Sequence, residues 1–174
     1  MWSYSLIHMK EAVVPTQKNP GARVTEKPPS TYVVGRKGAV SLVAACVRGE
    51  GAGPVALIES LQAGFPFSEL ETLRDLLDLP MDRLAAHLSI SRATLHRRKT
   101  AGRLDSGESD RVLRFARLLG LALTTMESLE AARGWLATPQ IGLGGAAPLV
   151  FAETEVGARE VEDLLTRIEF SVYA

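Results

Sequence analysis

The sequence predicts an all-α fold, and three observations lead to this prediction. Apolar residues recur at three- and four-residue intervals along most of the chain beyond residue 38. Residues suited to helix starts, serine and proline above all, precede these periodic segments, and glycine follows several of them. The alternating pattern of a half-buried strand is almost absent from the 174 residues, and no segment repeats. We therefore expect helices joined by short loops.

The first 35 residues differ in character from the rest of the chain. Prolines interrupt them four times and no apolar period is sustained, so we expect a flexible N-terminal arm over 1–35. The remaining chain is predicted to form two helical domains, over 36–120 and 121–174. The first of these is expected to hold oligomer contacts in its opening helices, because those helices are apolar and precede a basic unit.

The first part of the helical region is predicted to contain three helices. "AVSLVAACVR" (39–48) favours a helix, although its valines leave a strand open. The second helix begins near Pro54, which suits a first turn, and ends before Gly64. Ser68 and Glu71 form an S-x-x-E capping box that is expected to open the third helix, "ELETLRDLLDL".

The rest of the chain continues with helices and short connections. Pro80 is expected to start a short helix, and a tight turn, "SIS", then leads to a helix that begins at Arg92. Ser106 or Ser109 is expected to cap the long apolar segment "DRVLRFARLLGLAL". The remaining predictions are a helix over 126–137, a turn-rich connection over 138–149 whose end starts a short helical turn, and a final helix over 157–170.

Two short helices joined by a three-residue turn, in "LAAHL-SIS-RATLHRR", match the helix-turn-helix plan. Ala85 is small enough for the second helix to cross closely, Ile90 can plug the corner, and Leu95 is the expected buried anchor of the second helix. Ser89 opens the turn at a place where glycine is common, because a positive φ is favoured there. Serine in that conformation costs about 1 kcal/mol.

The second of these helices gathers cations in a chain with no net charge. Residues 81–120 hold nine Lys and Arg against four Asp and Glu, whereas 121–174 hold three against eight. A cation cluster of this kind is either an ordinary solvated helix face or a surface that meets phosphate, and the two-helix pattern favours DNA. We expect these side chains to point away from the core. The predicted DNA-binding residues are Ser91, Arg92, Thr94, Arg97, Arg98, Lys99 and Arg103.

The end of the chain has an unusual arrangement of proline, glycine and apolar residues. Its order is W-L-x-x-P, L-G-G-x-x-P-L, T-x-x-G, V-x-x-L-L-x-R-I and a final V-Y-A. This pattern resembles the antitoxin/toxin-binding domain of the ParS–Xre antitoxin family, and the basic segment upstream resembles the Xre-like helix-turn-helix half of the same proteins. The resemblance covers about residues 40–174. One departure is Ser171, where family members often carry glycine before V-Y-A.

The resemblance implies an antitoxin of a RES–Xre type II toxin–antitoxin pair. Such an antitoxin obstructs the active-site cleft of a RES-domain toxin that depletes NAD. It also represses its own operon by binding operator DNA as a homodimer or higher oligomer. It holds no cofactor and catalyses nothing.

The last residues of the chain are the predicted toxin-binding site. Tyr173 could enter a pocket made for a nucleotide, and the α-carboxylate of Ala174 could mimic a phosphate; alternatively, Tyr173 folds back onto the core. The acidic charge of 121–174 would steer the tail toward a cationic cleft. Trp135 and the "LGG" loop are expected to be structural. The predicted toxin-binding residues are Arg167, Glu169, Phe170, Tyr173 and Ala174.

The sequence gives little support to other classes of protein. The three histidines have no metal-ligand spacing, no Ser/His/Asp arrangement is apparent, and the "GLGG" segment lacks the preceding strand and following Lys of a phosphate loop. Cys46 is a lone cysteine in an apolar segment, which predicts a buried small side chain and agrees with a reducing cytoplasm. No signal peptide or membrane span is apparent. The alternative that stays open is a stand-alone helix-turn-helix regulator whose C-terminal domain senses a ligand or dimerises.

Overall fold

A computed structural model of the chain describes residues 41–170, so the expected arm and the residues Tyr173 and Ala174 lie outside the described range. Within this range the all-α prediction is confirmed, since an isolated bridge between Pro66 and Arg103 is the only extended pairing. The helices are α1 (Leu42–Val47), α2 (Pro54–Ala63), α3 (Phe67–Leu77), α4 (Met81–His87), α5 (Arg92–Ala101), α6 (Ser106–Met126), α7 (Leu129–Ala137), a 3₁₀ turn (Ile141–Leu143), α8 (Pro148–Phe151) and α9 (Glu155–Glu169).

The 21-residue helix α6 is the centre of the described fold. It packs against α1, α2 and α3, which precede it in the sequence, and against α7 and α9, which follow it. Phe115, Leu118 and Leu119 are buried in a core to which both groups of helices contribute. The helix also passes through residue 120, the expected boundary between two domains, without a break. The two predicted parts therefore share one helix and one core.

Helix α1 crosses α6 closely because Gly120 has no side chain. A Cβ atom at this position would lie 3.1 Å from the carbonyl oxygen of Val47, which is tighter than ordinary van der Waals contact. The segment for which the sequence left a strand open is thus a helix, and Val43 and Val47 are buried against the core.

The N-terminus of α1 is held by a glutamate that sequence analysis did not single out. The buried carboxylate of Glu69, on α3, accepts hydrogen bonds from the backbone N–H of Leu42 at 3.2 Å and of Val43 at 2.9 Å. It also accepts one from the hydroxyl of Ser41 at 2.6 Å. An anion at a helix N-terminus satisfies free N–H groups and interacts favourably with the helix dipole. Glu69 therefore fixes α1 to α3.

Replacing Glu69 by alanine is expected to lower the free energy of unfolding by about 2–4 kcal/mol, because charge-assisted hydrogen bonds to partly buried donors are lost. Glu69→Gln keeps one acceptor oxygen and should lose less. Glu71→Ala, on the same helix, is the control, since Glu71 accepts no hydrogen bond from any residue in 41–170. Urea unfolding followed by circular dichroism checks this order of stabilities among the variants. Equal stability of the Glu69→Ala and Glu71→Ala proteins would contradict the prediction.

Two expected helix starts are wrong. Ser68 and Glu71 do not form a capping box, because α3 already begins at Phe67, with Pro66 in the cap position. The reason is tertiary: the N–H of Phe67 bonds to Gly102 and the carbonyl of Phe65 accepts from Leu104, which places both phenylalanines in the core.

The long helix α6 is capped neither by Ser106 nor by Ser109. Asp105 caps it instead, in a complete capping box with Glu108. The hydroxyl of Ser109 is buried and donates to the carbonyl of Asp105 at 2.6 Å while it accepts from the N–H of Phe65 at 2.7 Å. Serine at this position thus ties the α2–α3 connection to α6.

The boundaries near the C-terminus are shifted by a few residues. Helix α6 extends to Met126, so the next helix starts later than expected, after its N-cap Ser128. The last helix starts earlier than expected, at Glu155, where Thr154 is the N-cap. Along residues 41–170, no helix combines the length and the apolar character that a bilayer span would require.

Candidate functional site

Helices α4 and α5 form the predicted helix-turn-helix corner. Leu84, Ala85 and Leu88 are buried, and Ile90 plugs the turn as expected, with its N–H bonded to the carbonyl of Ala85 at 2.8 Å. Ser89 has φ 53°, which confirms that this position adopts the left-handed conformation that favours glycine. Leu95, the expected buried anchor of the second helix, is only half-buried, and α5 has no fully buried residue. The rest of the corner is built from the residues that the sequence indicated.

The start of α5 is stabilised by Ser91. Its hydroxyl oxygen accepts a hydrogen bond from the N–H of Thr94 at 3.1 Å and its O–H donates to Thr94 Oγ1 at 2.9 Å. Ser91 is exposed, but Thr94 is half-buried and its hydroxyl is engaged by the cap. Thr94, one of the predicted DNA-binding residues, is therefore less accessible than Ser91, because its hydroxyl is engaged by the cap.

Arg98 is also placed differently from the expectation, since its side chain turns toward the N-terminus of α6. Nη2 donates to Oδ2 of Asp105 at 2.6 Å, and Nε lies 2.7 Å from Oε2 of Glu108 in an ion pair outside hydrogen-bond geometry. The carboxylates of Glu108 and Asp105 raise the pKa of Arg98. The pKa of Asp105 is lowered, chiefly by the hydrogen bond it accepts from the backbone of Glu108 and then by Arg98 and Arg111.

Arg103 and Arg111 bind backbone carbonyls at helix ends. Arg103 Nη1 donates to the carbonyls of Ala63 at 2.7 Å and Gly64 at 2.8 Å, at the C-terminus of α2. Arg111, which sequence analysis did not select, donates from Nε to the carbonyl of Leu88 at 2.6 Å, in the turn of the corner. Cations at helix C-termini satisfy free carbonyls and the negative end of the helix dipole. Part of the basic block thus holds α2, α4 and α5 in place.

The other selected cations face solvent. Arg92, Arg97 and Lys99 are exposed. Arg92 makes a loose contact of 3.5 Å with Asp82, both side chains being largely exposed, and such pairs contribute little. Arg97 and Lys99 form no ion pair or side-chain hydrogen bond with residues 41–170. These three side chains are free to meet an anion.

The C-terminal part folds α7, the 3₁₀ turn, α8 and α9 into a small helical unit beside α6. Gln140 organises the "LGG" loop: its carbonyl accepts from the N–H of Gly145, its N–H donates to Ala146, and its side chain donates to the carbonyl of Trp135. Gly144 and Gly145 have positive φ angles, which glycine adopts readily because it has no Cβ atom. Trp135 is half-buried and packs on the core. The loop is thus ordered by its own hydrogen bonds.

The structure describes three of the five residues predicted to bind a toxin. Arg167 and Glu169 are exposed near the end of α9, and Phe170, which follows the helix, is 67% exposed. Tyr173 and Ala174 lie outside the described residues. The geometry therefore leaves the end of α9 accessible.

Further exposed apolar side chains lie in the same unit and were not predicted. Ile141 in the 3₁₀ turn is 98% exposed and Val156 in the first turn of α9 is 73% exposed. Val150 on α8 is also exposed. Their apolar character is visible in the sequence, but their exposure depends on how the 3₁₀ turn and α8 pack, which no periodic pattern indicates.

Polar contacts connect the unit to the rest of the fold. Arg114 on α6 pairs with Glu155 at 3.0 Å, and Arg117 pairs with Glu162 at 3.3 Å. Arg133 on α7 donates to the carbonyl of Leu76 at 2.6 Å, at the end of α3. Within 41–170, no group of His, Cys, Asp and Glu side chains is arranged to hold a metal ion.

These features define a class: a helix-turn-helix protein in which a long helix joins the corner to a small C-terminal helical unit. A family model described as the antitoxin Xre-like helix-turn-helix domain matches residues 56–117. A second, described as the antitoxin Xre/MbcA/ParS C-terminal toxin-binding domain, matches residues 121–170. The boundary between the two matches falls within α6.

Two similar proteins bear the same name. "Antitoxin Xre" of Yersinia enterocolitica is 32% identical over 120 residues, which cover 68% of this chain and 81% of the relative. "Antitoxin Xre" of Photorhabdus laumondii subsp. laumondii is 28% identical over 120 residues, which cover 68% of this chain and 74% of the relative. The chain belongs to the Xre antitoxin family. It is an antitoxin of a toxin–antitoxin system with a helix-turn-helix domain.

Proposed function

We propose that this antitoxin acts in the cytoplasm as part of a type II system, and that it neutralises a RES-domain, NAD-depleting toxin by occluding the active site of that toxin. It also represses its own operon by binding operator DNA. The observation that carries the proposal is the presence of two accessible surfaces on different helices: exposed cations on α5, and apolar and charged side chains in the α8–α9 unit.

The toxin-binding part of the proposal rests on the end of α9. Phe170 offers an exposed aromatic ring, with Arg167 and Glu169 beside it in the chain. The acidic composition of 121–174 favours approach to a cationic cleft, such as one that accepts a nucleotide. Tyr173 and the α-carboxylate of Ala174 are proposed to enter that cleft, as a ring that stacks and an anion that replaces a phosphate.

The exposed apolar residues Ile141, Val150 and Val156 support a protein partner for this unit. Contiguous exposed apolar surface is characteristic of interaction sites, and these three exposed side chains are proposed to contribute to one such surface. They are proposed to form the wider contact around the inserted tail. Such a contact would orient the tail, while the tail itself occludes the active site.

The DNA-binding part rests on Ser91, Arg92, Arg97 and Lys99, which are exposed on α5 or at its start. They are proposed to contact the phosphates and bases of an operator as the recognition helix enters the major groove. Arg98 and Arg103 contribute through the position of α5 rather than by direct contact, because their side chains are engaged within the protein.

A homodimer is proposed to bring two recognition helices to paired half-sites. Helix α2 is the proposed dimer contact, since it has no buried residue and presents Val55, 69% exposed, and Ile58 on one side. Val55→Asp together with Ile58→Asp provides a direct check by sedimentation. A monomeric variant and a dimeric wild type would support this assignment.

Removal of residues 170–174 tests the proposed neutralisation. The shortened protein is expected to lose protection against a RES-domain toxin partner, so that cells co-expressing the two lose NAD and stop growing. DNA binding should stay within about twofold of wild type, because α5 is distant in sequence and fully folded. Equal loss of both activities, or full protection by the shortened protein, would contradict the proposal.

Ile141→Asp is the companion variant for the wider contact. It alters an almost fully exposed side chain, so the fold should be unchanged, but affinity for the toxin should fall. The absence of a neighbouring RES-domain gene would favour the alternative, a stand-alone regulator. Co-purification with the neighbouring gene product and measurement of the mass of the complex separates the two.

A further inference from the structure

The outward side of α5 is defined by which of its residues pack inward. Thr94, Leu95 and Arg98 are half-buried, and Leu95 packs on the core while Arg98 pairs with the start of α6. Successive residues of an α-helix are rotated by about 100°, so the opposite side is centred near His96 and Thr100. The residues of this side are Ala93, His96, Arg97 and Thr100, and all four are exposed.

In a helix-turn-helix protein, the first half of the recognition helix reads the bases, because that end is inserted into the major groove. Ala93 and His96 are the second and fifth residues of α5. Both lie on the outward side, whereas Thr94, one of the DNA-binding residues predicted from the sequence, is half-buried. Thr100 is near the C-terminal end, and its hydroxyl donates to the carbonyl of His96 at 3.1 Å. Ala93 and His96 are thus placed better for base contact.

The helix that carries His96 is suited to nucleic acid. His96 borders a groove of about 250 Å³ between α3, α4 and α5, together with Arg92 and Lys99 from its own helix and the carboxylates of Glu71 and Asp82 from the neighbouring helices. Helix α5 carries three arginines and a lysine and no Asp or Glu. The side chain of His96 forms no hydrogen bond or ion pair with residues 41–170. An N–H of its ring is therefore available to an external acceptor, between cations that can neutralise phosphates on either side.

We propose that His96 is a specificity-determining residue for DNA, donating from its imidazole ring to the N7 or O6 acceptor of a guanine in the major groove. Ala93, three residues earlier on the same side, contacts the methyl group of a thymine. This inference rests on the proposed DNA binding. It adds two residues that the charge pattern did not select, because neither carries a fixed charge.

The test uses the full chain and DNA duplexes that the wild-type protein selects from a randomised library. His96→Ala is expected to lose roughly tenfold in the ratio of affinities for the selected and a scrambled duplex, with an unchanged salt dependence. A second selection with this variant should show a weaker base preference at one position in each half-site. Circular dichroism should show an unchanged fold, because the side chain is exposed.

Lys99→Ala is the control for a phosphate contact. It should weaken binding to both duplexes equally and reduce the slope of log affinity against log salt by about one. If His96→Ala behaves like Lys99→Ala, or keeps the wild-type ratio and selected sequence, the proposal for His96 is wrong. If the wild-type protein selects no sequence, the proposed operator binding itself fails, and the assignment of His96 fails with it.

Discussion

Substitution of Gly157 by alanine is expected to destabilise the protein strongly and to abolish toxin binding. Gly157 lies in the first turn of α9, where the backbone passes so close to α8 that an added Cβ would overlap with the carbonyl oxygen of Phe151. Because backbone rather than a flexible side chain blocks the space, α8 and α9 would have to separate. Overpacking of this kind costs about 2–3 kcal/mol or more.

The matched control is Gly134→Ala. Gly134 is also within a helix, α7, but a Cβ there would meet no atom within 4 Å. Alanine should therefore stabilise the protein by about 0.5–1 kcal/mol, since glycine is the poorer helix former. Thermal unfolding should show the melting temperature falling by roughly 4–12 °C for the first variant and rising slightly for the second. A Gly157→Ala protein as stable as wild type would show that α8 and α9 are not packed as described.

Two adjacent arginines are expected to respond differently to the same change. Arg97→Ala should weaken binding to DNA about tenfold and lower the salt slope by about one, with no change in stability, because Arg97 is exposed and forms no pair within 41–170. Arg98→Ala should lower the melting temperature, because it removes the cation that faces Asp105 and Glu108. Its DNA affinity should fall as well, through the changed position of α5.

The salt slope separates these two causes. A residue that contacts phosphate displaces a counterion, whereas a residue that positions the helix does not, so Arg98→Ala should bind less tightly with the slope of wild type. Arg98→Lys should restore part of the stability. If both alanine variants lowered the slope equally and melted like wild type, Arg98 would contact DNA and the inward pairing would not persist in solution.

Much of the fold could be predicted because local chemistry and tertiary packing agree. Ser91 is both a favourable N-cap residue and the observed cap of α5, and Ile90 is both apolar and buried in the turn. The predicted helix starts were wrong where a tertiary contact outweighs the local preference of the sequence. The burial of Phe67 starts α3 before Ser68, so the sequence pattern of a capping box is present but unused.

The DNA-facing surface could be predicted only in part, since charge marks a helix but not the side of it that faces outward. Arg97 and Arg98 are equivalent in the sequence, and the difference between them arises from Glu108, ten residues further along. The sequence pattern did not single out that glutamate, because its pairing depends on how the start of α6 packs against α5. The exposure of Ile141 and Val156 could not be predicted for a similar reason. An apolar residue is ordinarily assigned to the core unless the packing of its neighbours is known.

The uninterrupted course of α6 through residue 120 determines what a single proteolytic cut in this helix would do. A protein whose two activities sit on independent modules can lose one and keep the other after a single proteolytic cut. Here a cut between residues 112 and 122 would open the core that both surfaces depend on. Under the proposed function, one cleavage event would release the toxin and lift repression of the operon together, which links the supply of fresh antitoxin directly to its destruction.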